Sequence, residues 1–348
     1  MQMESIPEHV PVRYCVTLDN PMNTLTAHSP INEGLATELF AFWERIFHAD
    51  GTEPDPDVPI DVFLGSESTH NENTIWMERS QGALVGTCGM TVGKKTPALG
   101  GFGEVGTDPR FRRKGIATRL SGHAVEEFQG AGGEAFFLGT GNPLAERVYQ
   151  KLGWRRMAGS NVWANITNGD SPEAFLVDYY RDGQTASITR GDASLRIPMI
   201  PLLLTPHDPQ ILDANVGMFS TRYSNQGSCM GLCRRYYRVV QQENAAWYVA
   251  KTHDDKLVGI ATGRIDHDAV CDVDGFTHKR YEQHWPALIQ AVIEWGDKQS
   301  ASSFRTSVSL DDRGKLTLFE DLGFRLTGQQ SQFNLGERSV VANLLTKT

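Results

Sequence analysis

The chain has 348 residues, enough for two domains with separate cores, and its 40% hydrophobic and 22% charged composition is ordinary for a globular protein. A net charge of −9 argues against a surface built for nucleic acid or an anionic membrane and suits a cationic or amine-bearing partner. No apolar run reaches membrane-spanning length, no signal-peptide pattern opens the chain, and the cysteines (Cys15, Cys88, Cys229, Cys233, Cys271) are few and scattered, which predicts a reduced, cytoplasmic setting.

In chain order, the first predicted element is a helix from Asn32 to Phe47, with Leu35, Leu39, Phe42, Trp43 and Ile46 on one stripe. A polar, Pro-rich loop follows around Asp50 to Pro59. Strands are expected at Thr74–Glu78 and Leu84–Met90, joined by a Ser-Gln-Gly turn. Gly103-Glu104-Val105-Gly106 reads as the end of another strand. The stretch Thr107-Asp108-Pro109-Arg110-Phe111-Arg112-Arg113-Lys114-Gly115-Ile116-Ala117 then leads into a helix beginning near Lys114, since Ile116, Ala117, Leu120, Ala124, Val125 and Phe128 recur at helical spacing. Cations and a glycine therefore meet at a helix N-terminus, where unpaired N–H groups and the helix dipole favour an anion such as a phosphate. Neither a P-loop nor a dinucleotide-binding glycine pattern is present.

After a short strand, Ala135-Phe136-Phe137-Leu138, comes Asn142-Pro143-Leu144-Ala145-Glu146-Arg147-Val148-Tyr149-Gln150-Lys151-Leu152-Gly153-Trp154. Asn142 suits an N-cap, Pro143 the first helical position and Gly153 the stop. Leu144, Ala145, Val148 and Leu152 are expected to form the buried face, with Tyr149 beside it. A polar stretch from Thr167 to Pro172 marks the boundary, giving units of residues 1–168 and 173–348. Cys229-x-x-x-Cys233 has no second pair at ligand spacing, so no metal is expected.

Beyond the boundary the pattern repeats with a period of roughly 170 residues. Trp247–Ala250 and Leu257–Gly263 echo the hairpin across Asp254-Asp255. Ala269–Thr277 reads as the central strand, Pro286–Trp295 as a helix and Phe304–Val308 as the next strand. Leu318-Phe319-Glu320-Asp321-Leu322-Gly323-Phe324 then stands against Val148–Trp154. Setting Gly323 on Gly153 places Glu282 at Arg112, Trp285 at Gly115 and Phe319 at Tyr149. A carboxylate would repel pyrophosphate, an indole would fill the space beside the backbone, and phenylalanine has no proton to give. A degenerate second unit is expected, supporting the first and walling its pocket.

Arg112-x-x-Gly115-x-Ala117, followed by the helix carrying Tyr149, resembles the acyl-CoA signature of the GNAT superfamily of N-acetyltransferases, [Q/R]-x-x-G-x-[G/A] and N-x-x-A-x-x-x-Y-x-x-x-G-[F/W]. The resemblance implies tandem GNAT folds, each an α/β (α+β) unit with a mixed, mostly antiparallel sheet flanked by helices. Two-domain acetyltransferases that pair an active with a degenerate unit are similar in plan. It also implies acetyl-CoA as cosubstrate, held by Val105, Gly106, Thr107, Arg112, Arg113, Lys114, Gly115, Ile116, Ala117, Thr118 and Asn142. The implied chemistry is direct transfer in a ternary complex to a small amine, with Tyr149 as the acid for the leaving thiolate and Glu104 as a base. His123 and Asp108 read as surface residues. A homodimer is compatible with the sequence. A non-catalytic acyl-CoA-binding or regulatory protein, and a protein (lysine or N-terminal) acetyltransferase, stand as the alternatives.

Overall fold

The computed structural model describes residues 24–47, 58–169, 171–182, 185–336 and 338–348. Cys15 and most of the loop after Asp50 lie outside them.

The first unit comprises β1 (Thr24–His28), α1 (Glu33–Phe47), α2 (Ile60–Phe63), β2 (Asn71–Ser80), β3 (Ala83–Gly93), β4 (Thr96–Thr107), α3 (Ile116–Gly130), β5 (Ala135–Gly139), α4 (Pro143–Lys151), β6 (Arg155–Arg156) and β7 (Val162–Ile166). Asn32 starts α1 by accepting the Leu35 N–H at 2.8 Å, and Leu39, Phe42 and Trp43 are buried as the stripe requires. Gln81 and Gly82, with φ of 51° and 81°, close the β2–β3 hairpin in the left-handed geometry that matches strand twist. The strands form one sheet in the order β1-β2-β3-β4-β5-β7-β6. Only the β4–β5 pair is parallel in it.

The remaining elements are α5 (Pro172–Tyr179), β8 (Ala186–Arg190), α6 (Met199–Leu204), β9 (Ile211–Asp213), β10 (Met218–Phe219), α7 (Met230–Val240), β11 (Ala245–Thr252), β12 (Leu257–Ile265), β13 (Val270–Thr277), α8 (Trp285–Lys298), β14 (Ser303–Ser309), α9 (Arg313–Asp321), β15 (Arg325–Leu335) and β16 (Arg338–Lys347). Read from its β8 edge, the second sheet runs β8-β11-β12-β13-β14-β16-β15, the strand order of the first. The parallel pair is again central, β13 with β14. Small details repeat too. Trp154 N–H donates to Tyr149 O as Phe324 N–H does to Phe319 O. Gly153 and Gly323 stop their helices at φ of 93° and 91°. The fold is thus the α/β, mostly antiparallel tandem arrangement.

The two units are not beads on a string. Leu176, Ile197, Ile200, Leu204, Cys229 and Met230 pack in one cluster with Leu99, Phe137, Met157 and Val162 of the first unit. Between the units lies an ion pair of Glu67 and Arg196, both buried, with Arg196 Nε donating to Glu67 Oε2 at 2.8 Å. Among the described residues no helix is long and apolar enough to cross a membrane.

Two local expectations need correction. Helix α3 begins at Ile116 rather than near Lys114, because Arg113 and Gly115 adopt φ of 62° and 78°, outside the helical region. Leu144 is 71% exposed. At 3.6 residues per turn it stands about 140° around α4 from Tyr149, the residue that is buried, whereas Ala145, Val148 and Leu152 share the tyrosine's side.

Candidate active site

The site begins where β4 and β5 part. They pair from Leu99↔Ala135 to Phe102↔Leu138 and no further, although β4 continues to Thr107. Past Phe102, β4 has no ladder on that side, so its backbone can serve a ligand entering the gap. On the other side, Glu104 and Val105 both stand opposite Cys88, since the register passes from Gly89↔Gly103 to Thr87↔Gly106. This is a β-bulge, with Glu104 at φ 52°. A relay of hydrogen bonds supports it. Trp43 Nε1 donates to Thr87 Oγ1 at 2.9 Å, and Thr87 Oγ1 donates to the Glu104 carbonyl at 2.6 Å.

At the end of β4, Asp108 is buried rather than at the surface as expected. Its carboxylate accepts the Arg110 backbone N–H and both Nε and Nη2 of the Arg110 side chain, at 3.0 to 3.1 Å. Those bonds hold its pKa down at about 2. Arg112 Nε reaches back to Thr107 O at 3.3 Å, and Lys114 Nζ lies 4.7 Å from the Phe111 ring centre. Arg112, Arg113 and Lys114 are exposed, and none forms an ion pair among the described residues. Arg119 pins the turn to β2 through both Glu78 oxygens and to the Lys114 carbonyl. The first helical bond is Arg119 N–H to Gly115 O, and Gly115 offers no capping side chain. The N–H groups of Ile116, Ala117 and Thr118 are therefore left for a ligand, with three cations beside them. That donor set fits a pyrophosphate. His123 is exposed on α3, as expected.

Across the gap, Asn142 caps α4 by accepting the Leu144 N–H at 3.0 Å. Tyr149 is 5% exposed, edge-on to Phe102 at 6.2 Å and to Trp154 at 5.7 Å. Burial, then the Cys88 and Cys229 thiols and Glu104, push its hydroxyl above the ordinary tyrosine range, so it is protonated at neutral pH. Glu104, Val105, Asn142 and Tyr149 line one cavity of about 820 Å3. Arg112 to Thr118 stand outside its lining, at the far end of the gap.

Sequence reasoning expected the second unit to wall this pocket but singled out neither its lining residues nor those on the spare face of α1. Thr37, Phe40, Ala41, Glu44 and Phe47 line it from the face of α1 that the core stripe leaves over. Phe40, Ala41 and Phe47 were apolar residues off the stripe, the one signal available. Ser228, Cys229 and Met230 line it from the second unit. A Cβ on Gly139 would stand 2.9 Å from Ser228 Cα, and one on Gly101 would stand 2.3 Å from Met230 Sδ. These two glycines thus admit the second unit onto the first sheet. Nothing local in the sequence announces such a contact.

The corresponding gap of the second unit has a different tenant. There β13 and β14 pair only from Val270↔Ser303 to Asp272↔Arg305. The segment Gln210–Asn215 bridges the two sides beyond that point. Gln210 N–H donates to the Asp312 carboxylate and Ala214 N–H to Asp274 Oδ2, while Lys315 Nζ donates to Ile211 O at 2.8 Å. Lys315 also pairs with Asp274 at 2.5 Å, and burial with Asp274 alongside pushes the Asp213 carboxyl above the usual carboxylate range. A short 310 turn, Lys279–His284, containing Glu282, runs straight into α8. Trp285 at the helix start donates Nε1–H to Gly275 O at 3.1 Å. Phe319, at the place of Tyr149, is buried against Phe324. Among the described residues no three His, Cys, Asp or Glu side chains converge as metal ligands.

Residues 38–154 match the model of the acetyltransferase (GNAT) family. Solved structures similar to this chain include a GNAT-family acetyltransferase from Streptococcus pneumoniae, at 16% identity and a TM-score of 0.36, covering 47% of this chain and 98% of that one. Another is spermidine N-acetyltransferase from Vibrio cholerae in complex with CoA and spermine, at 12% identity and a TM-score of 0.37, covering 47% of this chain and 95% of that one. An N-acetyltransferase from Staphylococcus aureus is 9% identical with a TM-score of 0.38, covering 47% of this chain and 98% of that one. No curated protein sequence matches the chain.

Proposed function

Because residues 38–154 form an acetyltransferase domain of the GNAT family, whose acyl donor is acetyl-CoA, we propose that the protein is an N-acetyltransferase acting on a small amine by direct transfer in a ternary complex. One cofactor site operates, in a first unit of residues 1–168, and the unit of residues 173–348 serves as support and pocket wall. The observation that carries this reading is the single cavity that joins the β4–β5 gap, Glu104, Tyr149 and the spare face of α1 under Ser228–Met230. The net charge of −9 favours small cationic solutes over nucleic acid. The protein is read as cytoplasmic.

Acetyl-CoA supplies an acyl group activated as a thioester. Arg112, Arg113 and Lys114, with the N–H groups from Gly115 to Thr118, hold its pyrophosphate. Val105 to Thr107 and Asn142 face its arm. Glu104 Oε takes one proton from the acceptor ammonium and passes it to solvent, leaving a nitrogen lone pair. The C–N bond then forms as the C–S bond breaks. Tyr149 Oη gives its proton to the departing sulfur, and the second proton lost by the nitrogen replaces it. The products are the amide, the free thiol and one proton. The mechanism needs no nucleophilic side chain, and burial with Glu104 alongside pushes the Cys88 thiol well above its ordinary value.

The test is thiol release from acetyl-CoA with a panel of simple amines and of lysine peptides. Turnover with amines and none with peptides is expected. Peptides acetylated with amines ignored would overturn the small-acceptor reading. Acetyl-CoA binding with no turnover of either would replace the enzyme by a binding protein.

A further inference from the structure

The charge of the acceptor end of the cavity narrows the substrate. Among the described residues its lining holds two carboxylates, Glu44 and Glu104, and no lysine, arginine or histidine. The acceptor end also presents the apolar side chains of Phe40, Trp43, Phe47, Val58, Ile60 and Met230, with Thr37 and Ser228 as neutral polar groups among them. Phe40 and Trp43 meet edge-to-face at 5.1 Å, making a rigid wall. Phe47 and Ile60, 47% and 37% exposed, stand among the lining residues. The exposed cations of the site, Arg112 to Lys114, are outside the lining and are placed for the pyrophosphate. Arg45, the other cation on this end of α1, faces Asp108 at 3.5 Å and the Phe42 ring.

We propose that the acceptor is a primary amine on an uncharged, apolar body, carrying no carboxylate, phosphate or sulfate. The inference rests on the transferase reading given above. Glu44 at the exposed rim attracts the ammonium, the aromatic wall and Met230 take the body, and Glu104 receives the amine beside Tyr149. An anionic substituent would meet two carboxylates with no cation among the described lining residues to pair it, so the cavity rejects as well as attracts. Because Met230 and Cys229 come from the second unit, that unit takes part in setting acceptor specificity.

The test compares matched pairs that differ by one carboxylate, hexylamine with aminohexanoate and phenylethylamine with phenylalanine, at saturating acetyl-CoA. The plain amine of each pair is expected to have a kcat/KM on the order of 10²-fold higher. Glu44→Lys, a change at an exposed helix position, is expected to shrink that ratio about tenfold, a within-protein comparison that misfolding does not mimic. Equal or better turnover of the acid-bearing amines, or a ratio untouched by Glu44→Lys, overturns the acceptor class while leaving the transferase standing. Acetyl-CoA binding with no amine or peptide turned over refutes the transferase reading, and this inference falls with it.

Discussion

Replacing Tyr149 by phenylalanine separates its chemistry from its packing. The ring lies edge-on to Phe102 and Trp154, contacts that a phenylalanine keeps. Its hydroxyl forms no hydrogen bond among the described residues, so its removal leaves no orphaned partner. The second unit shows the outcome in place, since Phe319 packs against Phe324 at 5.1 Å in the same fold position. Stability should therefore change by less than about 1 kcal/mol. Turnover should not survive so well. Loss of a positioned proton donor lowers a rate by roughly 10² to 10⁴, equivalent to about 3–5 kcal/mol of barrier. The drop should fall on kcat, because the acetyl-CoA contacts assigned to α3 and β4 are untouched. Steady-state thiol release, paired with a urea melt of the same preparation, measures both quantities. Full turnover by a stably folded Tyr149→Phe protein would refute the assignment.

Removing Glu67 should cost far more stability than removing the Tyr149 hydroxyl. Glu67→Ala leaves the Arg196 guanidinium buried without its carboxylate, a loss of roughly 3–5 kcal/mol, and Glu67→Ala with Arg196→Met should recover much of it. A urea midpoint unmoved by the single change would contradict that picture. The second unit should also be acid-sensitive through His207 and His278, both of which burial depresses to about 4. Unfolded histidines take up protons below about 6.5, so stability should fall as pH drops from about 6.5 to 4, by roughly 3 kcal/mol for His207 alone. Unfolding free energies measured at pH 7 and pH 4.5 check this, and His207→Gln should flatten the difference; equal values in the parent protein would refute it.

Much of this architecture is written locally. Asn32, Gly82, Pro143 and Gly153 act through their own backbone geometry or nearest hydrogen bonds, so the elements they start or stop can be read from the chain. The repeat was legible for the same reason, since Gly153 and Gly323 carry matching stop signals. What escaped depends on distant residues meeting. The Glu104 bulge needs β3 opposite it, and the Asp108 carboxylate is covered only once Arg110 and Arg45 fold over it. Leu144 shows the limit of apolar counting, because one misplaced step of phase turned an exposed residue into an expected core residue. Occupation of the second gap by Gln210–Asn215 left no pattern in sequence, as its partners lie on β13, β14 and α9.

The central claim is that one cofactor site operates, at the open helix start of the first unit. Acetyl-CoA titrated calorimetrically into Arg112→Glu/Gly115→Trp protein tests it most directly, since those residues are what the second unit presents at Glu282 and Trp285. The parent protein should bind one acetyl-CoA per chain, and the variant, still folded, should lose binding by at least about 10²-fold. Undiminished affinity in the variant, or two equivalents bound by the parent chain, would contradict the account.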